Sequence, residues 1–199
     1  MSRPSCKAHV WSTASVLLLV LFSASSLLSQ PVRFPRETLR FSLHDRAFDF
    51  SGLYFFDNPG AEEIRQAVFY PFVRSGSFPD SVEIVEISEG KDIPCRMGKS
   101  GVTFGIDIPP YTTQSYRISF HQGARGRSLE YILTTTASWG RPLDRMTVEI
   151  EVPALLKLRR ILPEPQHAVE KRGETTYTIE HLHFMPDRNL VVEWERKSQ

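Results

Sequence analysis

Residues 38–60 read TLRFSLHDRAFDFSGLYFFDNPG and carry the pattern that decides the fold class. Large apolar side chains recur at every second position, first at Leu39, Phe41 and Leu43 and then along the run FDFSGLYFF. Successive side chains of a β-strand point to opposite faces, so this spacing predicts two adjacent strands that each bury one face. The closing sequence DNPG at 57–60 is typical of a tight turn.

The same alternation continues toward the end of the chain. It predicts further strands near residues 68–72, 82–87, 102–108, 116–120, 129–136, 146–152, 175–184 and 190–194. About nine or ten short strands separated by turn residues match an all-β, immunoglobulin-like β-sandwich. We therefore expect one β-sandwich domain over residues 27–199.

Three local features of this domain are predicted with it. Residues 116–120 and 129–136 are expected to form a hairpin, and residues 169–199 a terminal hairpin with its turn at 186–189. Residues 154–162 fit a short helix and a strand equally well, because their leucines have helical spacing while prolines bracket the segment.

The amino terminus has the features of an export signal. Arg3 and Lys7 precede residues 10–32, which contain no charge, and residues 16–22 are all large and apolar. Small residues at 23–26 would allow a signal peptidase to cut, so residues 1–26 are predicted to be a signal peptide. The alternative is an uncleaved membrane anchor over residues 10–29. Either reading places the domain in the periplasm or outside the cell.

Composition narrows the classes of partner. The 199 residues include 24 Lys and Arg against 23 Asp and Glu, which gives a net charge of +1. A chain so balanced has no long-range field to hold a nucleic-acid backbone, so nucleic acid is not expected as a partner. We expect a protein or envelope partner, with membrane contact only through an uncleaved N-terminal segment.

Sequence motifs of common enzymes are missing from the chain. It has no G-x-S-x-G, no H-E-x-x-H, no glycine-rich phosphate loop and no C-x-x-C. The leading hypothesis is therefore a non-enzymatic interaction or accessory module of unknown ligand, with no catalytic, metal or cofactor residues assigned.

Two alternative functions stay open from the sequence. His181 and His183 are two apart on a predicted strand, so both imidazoles could face a metal ion together with Glu193 or Glu195 from a neighbouring strand. This pattern would suit a metal-dependent hydrolase. If the N-terminal segment is retained, the chain could instead be a membrane-anchored subunit of an envelope assembly.

Aromatic residues near predicted turns are candidates for a binding patch. They are Phe55, Phe69, Phe78, Tyr111 and Trp139. Exposed aromatic side chains make low-entropy anchors for peptide or sugar, and loops often carry such sites. Trp139 lies in the connection between residues 136 and 146, where we expect its ring to fold back and cap the apolar layer.

Two stretches resemble known sequences. FDFSGLYFFDNPGAEEIRQAVFYPF at 48–72 and YILTTTASWGRPLDRMTVEIEVP at 131–153 resemble uncharacterised exported bacterial β-sandwich domains. The first stretch is also similar to the opening of vault/inter-alpha-trypsin domains. The resemblance implies an extracytoplasmic β-sandwich and brings no catalytic residues with it.

Overall fold

The structure, a computed structural model, describes residues 32–198, which form fourteen β-strands and one short 3₁₀ helix. The elements are β1 (Arg33–Leu43), β2 (Ala47–Asn58), β3 (Ile64–Pro71), β4 (Glu83–Glu86), β5 (Lys91–Asp92), β6 (Cys95–Met97), β7 (Gly101–Ile108), β8 (Thr112–Gly123), β9 (Ser128–Tyr131), helix η1 (Leu133–Trp139), β10 (Leu143–Pro153), β11 (Leu156–Leu162), β12 (His167–Lys171), β13 (Glu174–Phe184) and β14 (Leu190–Arg196). This confirms the predicted all-β class.

Eight strands form one large sheet. Their order is β12-β13-β10-β1-β2-β8-β4-β5. The predicted pairing of β1 with β2 is confirmed, with Phe41 opposite Phe50. On its other side β1 runs parallel to β10, where Leu39 lies opposite Val148.

Two three-stranded sheets complete the described fold. We call them the β3 sheet, with the order β3-β7-β6, and the β14 sheet, with the order β11-β14-β9. Buried side chains of all three sheets belong to one apolar core, in which Tyr70 of the β3 sheet and Tyr131 of the β14 sheet both contact Phe50 of the large sheet. The small sheets therefore cover one face of the large sheet.

The opposite face of the large sheet is polar. Arg40 of β1 pairs with Glu149 of β10 at 2.6 Å, and Ser119 of β8 donates to Glu83 of β4 at 3.0 Å. One buried and one solvated face are usual for such sheets, and they explain the alternation in β2, β8, β10 and in β1 from Arg36 onward.

Both predicted hairpins are wrong. Strands β13 and β14 do not pair, because β13 lies between β10 and β12 in the large sheet while β14 lies between β11 and β9. Residues 185–189 carry the chain from one sheet to the other. Likewise β8 and β9 belong to different sheets, and residues 133–139 form η1 instead of continuing a strand. The ambiguous segment 154–162 contains strand β11 and no helix.

The predicted signal segment lies outside the described residues, and so does any N-terminal helix. Within residues 32–198, no helix has the length and apolar character needed to cross a membrane. The finer prediction of an immunoglobulin-like sandwich is not shown by the sheet topology, since the large sheet alone has eight strands.

Candidate ligand-binding cleft

A cleft of about 360 Å³ lies where the three sheets meet. Its floor is formed by β1 and β2 of the large sheet, one wall by the edge strand β3, and the other wall by the end of β9 and by η1. Beside the cleft, backbone hydrogen bonds of 2.8 and 2.9 Å join Arg74, in the segment that follows β3, to Glu130 of β9. The volume is at the lower end of the range for small-molecule sites, roughly 300 to 1,000 Å³.

Glu37 is the polar residue at the floor of this cleft. It continues the inward parity of Leu39, Phe41 and Leu43, so β1 places a carboxyl group where the core would otherwise be apolar. Glu37 is only 3% exposed, and no group among the described residues forms a hydrogen bond with its Oε1 atom. Burial raises the pKa of Glu37 to about 8, so the side chain is mostly protonated at neutral pH.

Three buried phenols surround the same floor. The hydroxyl groups of Tyr54 on β2 and Tyr131 on β9 are hydrogen-bonded at 2.9 Å. The hydroxyl group of Tyr70 on β3 is buried beside this pair, but no hydrogen bond of normal geometry joins it to a described residue. Burial raises the pKa of all three phenols above the usual value, so they remain protonated at any physiological pH.

Three further rings form the aromatic end of the cleft. The ring centroids of Phe34 and Phe56 are 5.3 Å apart, and Trp139 lies 5.6 Å from Phe34 and 5.5 Å from Phe56. These separations are those of interacting aromatic pairs. Trp139 is half-buried, so its ring packs on the core as expected and also presents a surface to the cleft.

Gly52 leaves space for the Tyr54 ring at the floor of the cleft. The Tyr54 ring lies directly over Gly52, two positions earlier on the same face of β2, where a Cβ atom would clash with the ring. Glycine weakens a strand, and inside one it often marks a close approach of neighbouring groups. Gly52 therefore allows the Tyr54 ring to lie flat on the sheet and reach Tyr131.

Glu37, Tyr54, Tyr70 and Gly52 were not identified from the sequence as site residues. The signal was present for Glu37, because it is a charged residue on the parity that β1 uses for its core. A buried charge is the informative exception to apolar cores.

The predicted aromatic patch does not form as one surface. Phe69 and Trp139 meet at the cleft, where Phe69 on the rim is 56% exposed. Phe55 lies on the polar face of the large sheet, where the Arg36 guanidinium stacks 3.7 Å from its ring centre. Phe78 and Tyr111 are exposed and do not line the cleft.

The hypothesis of a metal site at His181 and His183 is wrong in its geometry. Glu193 and Glu195 lie on β14, which is not a neighbour of β13, and they form ion pairs with arginine and lysine side chains of β11. His181 stacks on Phe184, with ring centroids 4.3 Å apart. His183 has a left-handed backbone, with φ of 49°, which interrupts the alternation that the shared face required.

A different histidine cluster lies on the polar face. His44 forms a 2.7 Å hydrogen bond with the Oδ2 atom of Asp49, and His121 forms one of the same length with its Oδ1 atom. The burial of Asp49 opposes ionisation, but these two hydrogen bonds outweigh it and lower the pKa of Asp49. Within residues 32–198, these three side chains are close enough to one another to share a metal ion. All three residues are exposed.

Comparisons with known proteins agree on the fold. No protein-family model and no curated protein sequence matches the chain. A Legionella pneumophila protein, provisionally named a nutrient binding protein, is similar in structure with a TM-score of 0.66 and 14% identity, over 84% of this chain and 68% of that one. A two-domain M1 zinc metallopeptidase bound to L-tryptophan has a TM-score of 0.51 and 11% identity, over 82% of this chain and 43% of that one.

These likenesses show a shared β fold alone. The chain spans about two thirds of the Legionella protein and less than half of the metallopeptidase chain. At such identities no residue role passes from either protein to this one.

Proposed function

We propose that the protein is a non-enzymatic binding module and that the cleft around Glu37 takes a small ligand. The observation that carries this proposal is the buried Oε1 atom of Glu37, which has no hydrogen-bond partner among the described residues and lines a cleft open to solvent. An unpaired buried polar atom costs about 1 to 3 kcal/mol, and a ligand that supplied its partner would recover that cost.

The chemistry of the cleft favours binding over catalysis. Hydroxyl groups of Thr135, Thr136 and Ser138 line it, but no His, Lys or Cys among the described lining residues stands beside them to activate a nucleophile. Ser138 donates to the backbone oxygen of Thr135 at 2.7 Å, so its hydroxyl is already engaged. The Legionella protein of similar fold is provisionally named for nutrient binding, which is the class of function proposed here.

A ligand panel tests this function. Primary amines, carboxylic acids, neutral sugars and aromatic alcohols would be screened for a rise in melting temperature, since a ligand that binds the native state stabilises it. At least one class should raise the melting temperature and be recovered chemically unchanged after incubation. No stabilisation by any class, or conversion of the bound compound, would contradict the proposal.

Two neighbouring positions on η1 provide a matched control. Ser138 lines the cleft, whereas Ala137 is exposed and does not. Ser138→Phe should narrow the cleft and remove the stabilisation by the ligand. Ala137→Phe adds a ring of the same size outside the cleft and should leave that stabilisation unchanged.

We also propose that the protein is exported and that its three sheets form a two-layer sandwich. Arg3, Lys7 and the uncharged residues 10–32 support export, and intact-mass spectrometry distinguishes its forms. A mature chain beginning near residue 26 or 27 indicates cleavage, while a mass that includes Met1 indicates a retained anchor.

The apolar core shared by all three sheets supports a sandwich with the large sheet as one layer.

A further inference from the structure

We propose that the ligand of this cleft is an organic cation, a primary ammonium group carried on a small apolar body, whose nitrogen lies between Glu37 and Tyr70. The inference rests on the proposed function and names the class of ligand for the same site.

Charge complementarity in the lining argues for a cation. Among the described residues that line the cleft, Glu37 carries the one carboxyl group, and there is no Lys, Arg or His to hold an anion. The aromatic rings present faces of negative electrostatic potential, which attract an ammonium group within about 6 Å. An anionic ligand would meet the carboxyl group without any compensating positive charge.

Unsatisfied polar atoms argue for a ligand that donates hydrogen bonds. In the ionised form that a cation favours, the Oε1 atom of Glu37 is an acceptor without a donor, and the Tyr70 hydroxyl can accept as well as donate. An ammonium group has three N–H donors and no acceptor, so it can satisfy both oxygens. The Tyr54 and Tyr131 hydroxyls bond to each other, so the Oε1 atom of Glu37 and the Tyr70 hydroxyl are the buried oxygens of the cleft that lack a well-aligned partner among the described residues.

The apolar part of the ligand fits the aromatic end. Phe34, Phe56 and Trp139 form that end, and the volume of about 360 Å³ suits a molecule of the size of a single ring with a short chain. A sugar would need several polar partners for its hydroxyl groups, but the hydroxyls of Thr135 and Ser138 already donate to backbone oxygens. Few polar side chains of the lining therefore remain for a sugar.

Proton release should accompany binding. Burial holds the pKa of Glu37 near 8 in the free protein, and an ammonium group beside it would favour the carboxylate. The titratable groups that face Glu37 are the phenols Tyr54 of β2, Tyr70 of β3 and Tyr131 of β9, which stay protonated. On β10 its neighbour is Met146, and the adjacent Arg36 and Thr38 of β1 lie on the other face of the large sheet.

The test compares phenethylamine with phenethyl alcohol, its neutral isostere, by isothermal titration calorimetry. We expect the amine to bind at least tenfold more tightly than the alcohol at pH 7.5. Its affinity should rise close to tenfold per pH unit between pH 5.5 and 7.5, and buffers of different ionisation enthalpy should report about one proton released. Ser138→Phe should weaken this binding and Ala137→Phe should not.

Glu37→Gln separates the charge from the shape of the cleft. In this variant the amine should bind at least tenfold more weakly at pH 7.5 and without pH dependence, while the alcohol binds as it does to the wild type. That retained binding of the alcohol also shows an intact cleft.

Two results would overturn the inference. One is equal affinity for amine and alcohol with no proton release. The other is amine binding that Ser138→Phe leaves unchanged. If the ligand panel finds a neutral or anionic class that Ser138→Phe excludes, the inference fails while the proposed function stands. If no class binds in the cleft, both fail.

Discussion

The hydroxyl groups of Tyr54 and Tyr131 are hydrogen-bonded at 2.9 Å and link the large sheet to the β14 sheet at the floor of the cleft. Both phenols are buried, so neither hydroxyl has solvent as an alternative partner. The bond therefore fixes the positions of two side chains that the proposed ligand would meet.

Removing one of these hydroxyls should be costly. Tyr54→Phe or Tyr131→Phe leaves the other hydroxyl buried without its partner, and each should lower the free energy of unfolding by about 1 to 3 kcal/mol. The double variant should cost less than the sum, with a coupling energy near 1 kcal/mol measured by urea unfolding. Tyr70→Phe is the contrast, since the buried Tyr70 hydroxyl forms no well-aligned hydrogen bond in the described structure and its removal should leave the free energy of unfolding unchanged or raise it. Additive single effects would argue against the link.

Glu37 should make stability depend on pH. Its pKa is raised from 4.5 when exposed to about 8 in the fold, so between these values the folded state binds the extra proton. This contribution is complete below about pH 4.5 and is lost as the pH rises toward 8, at up to about 1.4 kcal/mol per pH unit. Urea unfolding at pH 5, 6, 7 and 8 should show this slope as the difference between wild type and Glu37→Gln. A difference that does not change with pH would place the pKa of Glu37 near its ordinary value.

Trp139 and Trp194 offer a comparison of two tryptophans. Trp194 is buried in β14, and its indole N–H donates to the backbone oxygen of His44 at 2.9 Å, whereas Trp139 is half-buried at the cleft. Trp194→Ala should cost about 3 to 5 kcal/mol, and Trp139→Ala less than about 3 kcal/mol. Denaturant midpoints measure both effects. If Trp139→Ala unfolds at the wild-type midpoint, its ring does not pack on Phe34 and Phe56 in solution.

We expect the pKa of Asp49 to lie below its ordinary value. Its hydrogen bonds to His44 and His121 lower its pKa in the folded state, so the stability that they supply is present above the unfolded pKa and is lost as the pH falls through the folded pKa. Carboxyl NMR titration should show this low pKa, and His44→Ala or His121→Ala should raise it. His167→Ala changes an exposed histidine on β12 and should leave it unchanged. A pKa that neither variant moves would mean that these hydrogen bonds do not persist in solution.

Local pattern explains which parts of the fold could be predicted from the sequence. Strands β1, β2, β7 and β10 alternate because the large sheet and the β3 sheet each bury one face, and this signal is complete within a few residues. Pairings such as β9 with β14 join segments about sixty positions apart and have no local signal. The pairing of the adjacent strands β1 and β2 was predicted correctly, but connections as short as residues 109–111 and 154–155 cross between sheets, so connection length alone does not predict pairing.

The site was harder to predict for a related reason. Trp139 was identified as folding back on the apolar layer, since a tryptophan between two strands has few other places to bury its ring. The cleft itself arises where edges of two small sheets come together over Glu37, and that meeting depends on pairings that the sequence did not reveal.

The most direct test of the central claim is to map by NMR which backbone amides shift when a ligand binds. The compound from the panel that raises the melting temperature most would be titrated into ¹⁵N-labelled protein. We expect the largest shifts in β3 near Val68 and Tyr70 and in η1 near Ser138 and Trp139, with residues near His44 and His121 unaffected. Shifts confined to the polar face, or spread over the surface without saturation, would contradict a binding site at the Glu37 cleft.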